Sequence, residues 1–221
     1  MSYELILIPT AVERAVVESR LIAVVADTSF RIELCGFGPI AAAARTAELI
    51  ARKRPRRVIL VGIAGTYDER IPVGTACGFE NVSCFGIGAG SGETHESAAE
   101  MGWAQWSGVP STKLAEPIEI SDSILLSGSS KVSRKGTLVT CCSASGNARD
   151  VTQRLAKYPE STAEDMEGFA VAMACKLASI PCEIVRGISN IAGDRDITNW
   201  KIKAALDAAT TIVAQLLATQ V

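Results

Sequence analysis

Residues 31–63, RIELCGFGPIAAAARTAELIARKRPRRVILVGI, change hydrophobic pattern twice within one stretch. Positions 31–35 and 57–63 are short apolar runs rich in β-branched residues, which read as strands, and 39–53 between them reads as a helix. The same alternation extends outward in both directions. Residues 4–9, 75–82, 136–142 and 182–188 read as further strands, and 11–24, 147–157 and 168–179 as helices. Near the end Leu206, Ala209, Val213, Leu216 and Leu217 recur at three- and four-residue spacing, so a long amphipathic helix lays one stripe on the sheet. The expectation is a three-layer α/β/α sandwich around a mixed, mostly parallel β-sheet, with 1–221 as a single domain.

Lys and Arg number 22 against 24 Asp and Glu, a net charge of −2, so there is no basic field to hold a nucleic-acid backbone or an anionic membrane. A small-molecule partner is favoured. Every apolar stretch is broken well short of the ~18 residues that span a bilayer. The run from Leu5 to Ile8 has Glu4 before it and is too short for a signal-peptide core, so a cytoplasmic protein is expected. Seven cysteines, at 35, 77, 84, 141, 142, 175 and 182, include no Cys-x-x-Cys pair and no zinc-type cluster with histidine. They read as reduced packing residues, and neither a metal nor a cofactor is expected. Cys141 and Cys142, adjacent on a strand, should face opposite sides of it.

Three motifs carry little. Gly36-Phe37-Gly38-Pro39-Ile40-Ala41 formally satisfies a dinucleotide fingerprint but follows the second strand, and no acidic residue ends the next one. It reads as a tight turn with Ala41 packed close. Gly86-Ile87-Gly88-Ala89-Gly90-Ser91-Gly92 lacks the Lys-Ser/Thr ending of a phosphate loop and reads as a mobile loop. His95, the one histidine, reads as an exposed loop residue within a polar surface excursion over 83–116.

Polar groups cluster at the ends of predicted strands in three places, where open α/β sheets place their ligands. These are Pro9-Thr10-Ala11-Val12-Glu13, Glu164-Asp165-Met166-Glu167-Gly168, and Arg186-Gly187-Ile188-Ser189-Asn190. Each could instead hold a helix-start acid or a capping residue. Taken with Gly62-Ile63-Ala64-Gly65, and with Gly38-Pro39-Ile40-Ala41, Ile71-Pro72-Val73-Gly74 and Phe169-Ala170, they resemble the nucleoside phosphorylase and nucleosidase superfamily over nearly the whole chain.

That resemblance implies a purine nucleoside substrate, a hydrolase and a homo-oligomer, dimer or larger. It also implies roles for particular residues. Glu167 matches the acid that holds the ribose hydroxyls, with Met166 beside the sugar, and Glu13 the base that activates water. Ala64 and Gly65 should border the base or ribose, and Ala144 and Ser145 the base pocket. Arg186 should orient the others. The tail from Ile188 to Asp196, with Trp200, is similar to the branch of the superfamily that releases hypoxanthine. Methylthioadenosine/adenosylhomocysteine nucleosidases have Asp where this chain has Asn190, and an amide supplies neutral donors to the N7 and O6 acceptors of hypoxanthine. Water or Asp194 would supply the proton for N7. Arg195 would either reach a carboxylate on the nucleoside's side arm or pair with Asp194 and Asp196 beside it. Competing readings are a phosphorylase, a nucleosidase for adenine-type substrates, and a non-catalytic nucleoside- or dinucleotide-binding protein on a similar sandwich.

Overall fold

A computed structural model of the chain describes residues 3–25, 30–109, 117–127 and 132–218. The chain begins with β1 (Glu4–Ile8), α1 (Ala11–Val24), β2 (Phe30–Leu34), α2 (Pro39–Lys53) and β3 (Arg57–Thr66). The middle holds β4 (Ala76–Gly78), β5 (Asn81–Phe85), β6 (Gly88–Ala89), β7 (Glu96–Ser97), β8 (Trp106–Gly108), β9 (Ile118–Ile120) and β10 (Ser123–Leu125). The last part runs through β11 (Thr137–Cys141), α3 (Ala148–Lys157), β12 (Ser161–Asp165), α4 (Gly168–Leu177), β13 (Cys182–Ile191) and α5 (Ile202–Ala218).

Nine of these strands form one mixed sheet. β1 is parallel to β2 and β3, β13 to β3, and β11 to β5 and β12, whereas β10 on β5, β4 on β13 and the end of β12 on β3 are antiparallel. The strand period of two sends alternate residues into two cores. Leu5, Leu7, Val58 and Leu60 pack with Leu49 of α2 and Val171 of α4. Ile6, Ile8, Ile59 and Val61 pack with Val17 of α1 and Leu206 and Val213 of α5. Helices on both faces make the three expected layers, and burial on both faces is why these strands read as unbroken apolar runs. All five stripe positions of α5 are buried. Cys141 is buried and Cys142 exposed, on opposite sides as expected. Among the described residues no helix is long and apolar enough to cross a membrane.

Several expectations need correction. Residues 75–82 are not one strand: the chain leaves β4 at Gly78 to start β5 at Asn81, with the Glu80 amide bonded to Gly136 O at 2.9 Å. Ser161–Asp165, absent from the strands expected, is a strand whose polar side chains are mostly buried. The Gly86–Gly92 stretch contributes β6, paired antiparallel with β7. His95 is buried, its ring 5.3 Å from that of Phe85. The excursion at 83–116 begins inside the central sheet, and its residues 110–116 lie outside the described ones.

One feature of the sheet positions the site. A strand has two edges, and β13 lies along one edge of β3 from Val58 to Thr66. β1, at residues 57–60, and β12, at residues 65–66, therefore share the other edge. Residues 61–64 are left between them without a neighbouring strand, and the sheet opens there into a crevice of the kind that binds ligands in α/β folds.

Candidate active site

The crevice beside residues 61–64 leads into a cavity of about 350 Å³. Its charged end is built over Gly62. A β-carbon at that position would lie 2.3 Å from Arg186 Nη1 and 2.9 Å from Glu13 Oε1, so the absence of a side chain makes room for both.

Glu13 arrives on the first turn of α1, which Thr10 caps. Thr10 Oγ1 accepts from the Glu13 amide at 3.3 Å, while Glu13 Oε2 accepts from Thr10 N at 3.1 Å and Thr10 Oγ1 at 2.6 Å. The other carboxylate oxygen, Oε1, accepts from Ile63 N at 3.1 Å, one of the amides exposed where β1 and β12 diverge. Capping and facing the cavity are thus combined in one residue.

Arg186, on β13, is fully buried. Its Nε donates to Asp165 Oδ2 at 3.0 Å, and its Nη2 donates to Asp165 and, at 3.1 Å, to Glu167 Oε2. Its Nη1 has no hydrogen-bond partner. Asp165 is held from behind by Thr140 Oγ1 at 2.6 Å and Gly168 N at 2.8 Å. Glu167 Oε1 accepts from Gly38 N at 2.9 Å. Gly38 has φ 83°, a left-handed conformation that glycine adopts readily, and so presents its N–H to a carboxylate from across the fold. Burial pushes the Glu167 carboxyl up to about 7; Arg186 pulls against that, and Asp165 adds to it. Burial works against the charge on Arg186, but Asp165, Glu167 and Glu13 outweigh it and strengthen its hold on its proton.

At the other end stand Gly65 and Asn190. The pairing of β13 with β3 slips between Ile188 and Asn190, a bulge that re-aims the chain at the cavity wall. Ser189 Oγ donates to Asn190 Oδ1 at 2.8 Å, and Asn190 Nδ2 donates to Ile191 O at 2.8 Å, which leaves one amide hydrogen available.

Of the residues expected at the site, Glu13, Ala64, Gly65, Ala144, Met166, Glu167, Asn190 and Arg195 line the cavity. Two do not. Arg186 lies over Gly62 on the same side as Glu13, fully buried, and bears on the site through Asp165 and Glu167. Ser145 is buried behind Ala144, tied to Glu164 and Arg154. Asp194 is also absent from the wall: its carboxylate accepts from Asp196 N and Asn199 Nδ2, both at 2.9 Å, within its own loop. Arg195 forms no ion pair with Asp194 or Asp196; its guanidinium lies 5.2 Å from the centre of the Trp200 ring at the cavity wall. Sequence reasoning missed Asp165, Thr140, Glu164 and Gly38 as parts of this assembly. Gly38 carried a signal in its turn motif, and Glu164 and Asp165 in the polar cluster at 164–168, which gave them no role; Thr140 carried none. Among the described residues, no group of three or more His, Cys, Asp or Glu side chains could hold a metal ion.

A sheet that splits over a buried carboxylate–guanidinium cluster, with a small-molecule cavity beside it, agrees with the match to known families. Residues 20–220 match the Phosphorylase superfamily, and the chain belongs to it. It is 28% identical to the futalosine hydrolase of Streptomyces coelicolor over 186 residues, 82% of this chain and 75% of the relative. It is 25% identical to a 5'-methylthioadenosine/S-adenosylhomocysteine nucleosidase of Staphylococcus aureus over 195 residues, 85% of this chain and 81% of the relative. The fold matches the crystal structure of the Helicobacter pylori 5'-methylthioadenosine/S-adenosylhomocysteine nucleosidase with a TM-score of 0.77, covering 99% of this chain and 98% of that one at 14% identity.

Proposed function

We propose that this protein hydrolyses the N-ribosidic bond of futalosine, releasing hypoxanthine and dehypoxanthinyl futalosine, a step of menaquinone biosynthesis by the futalosine route. The observation that carries the hydrolytic part is the pair of carboxylates in the cavity wall: Glu13, held by Thr10 N and Ile63 N, and Glu167, held by Gly38 N and the buried guanidinium of Arg186. A carboxylate such as that of Glu13, facing the cavity, can hold a water and take its proton.

Glu167 accepts from the ribose hydroxyls and offsets the positive charge that grows on the sugar. The bond from C1′ to the purine breaks with its electron pair passing to the base. The water oxygen adds to C1′ as its proton goes to Glu13, the division of labour found in inverting glycosidases. The purine leaves as its anion and takes a proton from solvent water, while Glu13 returns its proton to solvent, so that in sum hydroxyl ends on C1′ and hydrogen on the purine. Asn190 donates its available amide hydrogen to N7 as charge builds there. Arg186 positions Glu167 and Asp165 and does not touch the sugar.

Two features favour futalosine over an adenine-type substrate. Asn190, whose Oδ1 already accepts from Ser189 Oγ, turns a donor toward the base, which suits the O6 and N7 acceptors of a 6-oxopurine and gives the 6-amino group of adenine no acceptor. Arg195, free of its acidic neighbours and lining the cavity, suits the carboxylate of the futalosine side arm. The similarity to a 5'-methylthioadenosine/S-adenosylhomocysteine nucleosidase supports the second reading, an adenine-type nucleosidase. Measuring kcat/KM for futalosine and for 5'-methylthioadenosine under one set of conditions separates them. Futalosine should be preferred by at least about a hundred-fold, given that a site built on matched hydrogen bonds rejects a mismatched base strongly. The reverse preference would make the chain an adenine-type nucleosidase.

A further inference from the structure

Gly65 has a polar residue level with it on each side. Glu164 of β12 is its register partner on one edge and Asn190 of β13 on the other. Residues opposed in register project to the same face of a sheet, and all three line the cavity. Strand spacing puts the two outer α-carbons roughly 10 Å apart. Gly65 fills none of the space between them, so a flat ring system can lie there with a polar side chain at either edge.

Asn190 already has a role in the reaction proposed above, but Glu164 does not. It is 4% exposed, and its carboxylate is surrounded by donors. Oε1 accepts from Ser145 N at 2.7 Å, and Oε2 accepts from Ser145 Oγ at 2.5 Å and Tyr67 Oη at 2.7 Å. Arg154 Nε stands 3.6 Å from Oε2, and its Nη1 donates to Ser145 Oγ at 2.5 Å. An ionised carboxylate has about four acceptor positions. Ser145 and Tyr67 occupy three, leaving one on Oε1 in a group that forms part of the cavity wall.

The two purine classes differ where such an acceptor would act. A 6-oxopurine carries a hydrogen on N1, beside O6, whereas a 6-aminopurine has a bare lone pair there. We propose that Glu164 is a specificity-determining residue that accepts the N1–H of a 6-oxopurine, so that Glu164 and Asn190 read the base at N1 and N7 together. The proposal rests on the purine-nucleoside reading of the cavity. With a 6-aminopurine, Glu164 would face the N1 lone pair, setting two buried acceptors against each other.

Calorimetric binding of free hypoxanthine, 1-methylhypoxanthine and adenine to the wild-type protein tests this without turnover and without a variant. Hypoxanthine should bind at least about tenfold more tightly than either of the others. Equal affinity for hypoxanthine and 1-methylhypoxanthine would overturn the role of Glu164, while failure to bind any purine would overturn the parent reading with it. Glu164→Gln then separates reading the base from supporting the Ser145 turn. A glutamine keeps the shape, weakens the bond to N1–H by removing the charge, and can turn its N–H toward adenine N1. The hypoxanthine-to-adenine affinity ratio should therefore fall about tenfold. A variant that loses affinity for both bases equally would show that Glu164 only braces the turn.

Discussion

Nη1 of Arg186 lies 2.3 Å from where a β-carbon of Gly62 would be, so the strand and the guanidinium over it fit only because residue 62 has no side chain. The same position would be 2.9 Å from Glu13 Oε1 and 3.1 Å from Pro9 Cδ. One methyl group therefore tests whether this cluster is the working part of the site.

Gly62→Ala should displace a guanidinium that is fully buried and bonded to Asp165 and Glu167. Overpacking costs about 1–3 kcal/mol, and breaking a buried ion pair about 3–5 kcal/mol. Thermal unfolding should shift downward, and kcat/KM should fall at least about a hundred-fold. An alanine variant with native melting and native turnover would show that Arg186 moves aside freely and that its placement does not matter.

Glu167→Gln should cost activity and raise stability together. Burial holds this carboxyl at about 7 in the folded state, against an ordinary value of 4.5. Between those values the folded chain binds more protons than the unfolded one, so this group lowers stability as pH rises from 4.5 to 7. The variant should accordingly be more stable than wild type at pH 8, by at most about 3 kcal/mol, with the gain vanishing near pH 4. Its turnover should fall about a hundred-fold or more, because an amide cannot offset charge on the sugar. For the wild type, kcat/KM should fall as pH drops through about 7, where Glu167 takes up its proton. A pH-independent stability difference would separate Glu167 from this titration.

Asn190→Asp should change which base is preferred. The amide donates to Ile191 O at 2.8 Å and has one further hydrogen; an ionised carboxylate would have only acceptors to turn toward N7 and O6 of hypoxanthine. The ratio of kcat/KM for futalosine to that for its 6-amino analogue should drop roughly ten- to a hundred-fold. An unmoved ratio would mean that Asn190 does not read the base.

Arg195→Ala should raise KM for futalosine, whose side arm carries a carboxylate, and leave kcat nearly unchanged. Inosine, which has no such arm, should be cleaved as before. An exposed charge pair is worth about 1 kcal/mol or less, so a change of several-fold is expected. Equal effects on both nucleosides would mean that Arg195, stacked on Trp200, only shapes the cavity wall.

The sheet was legible because its strands are buried on both faces: 57–63 had to be apolar without alternation, and α5 had to repeat at helical spacing. β12 was not, because Ser161, Glu164 and Asp165 are polar and yet buried. Their polarity is satisfied by partners that local pattern cannot supply: Asp165 by Thr140 and Arg186, and Glu164 by Ser145 and Tyr67. Glu167 and the amide it uses at Gly38 are 129 residues apart, so the glycine turn showed its shape in sequence but not its purpose. His95 reads as exposed for a related reason, since its ring packs near Phe85, a residue that pairs into the central sheet. Motif residues at strand ends were recognisable by type, whereas the groups that orient them depend on the fold.

The proposed hydrolysis, in which Glu13 takes a proton from water, has no step for phosphate. The direct measurement is to incubate the purified protein with futalosine, with phosphate absent and with phosphate abundant, and to follow hypoxanthine and the ribosyl product by chromatography. Hypoxanthine should appear at the same rate in both, with a free ribosyl product. Strict dependence on phosphate, or a ribosyl product phosphorylated at C1′, would contradict hydrolysis and make the chain a phosphorylase.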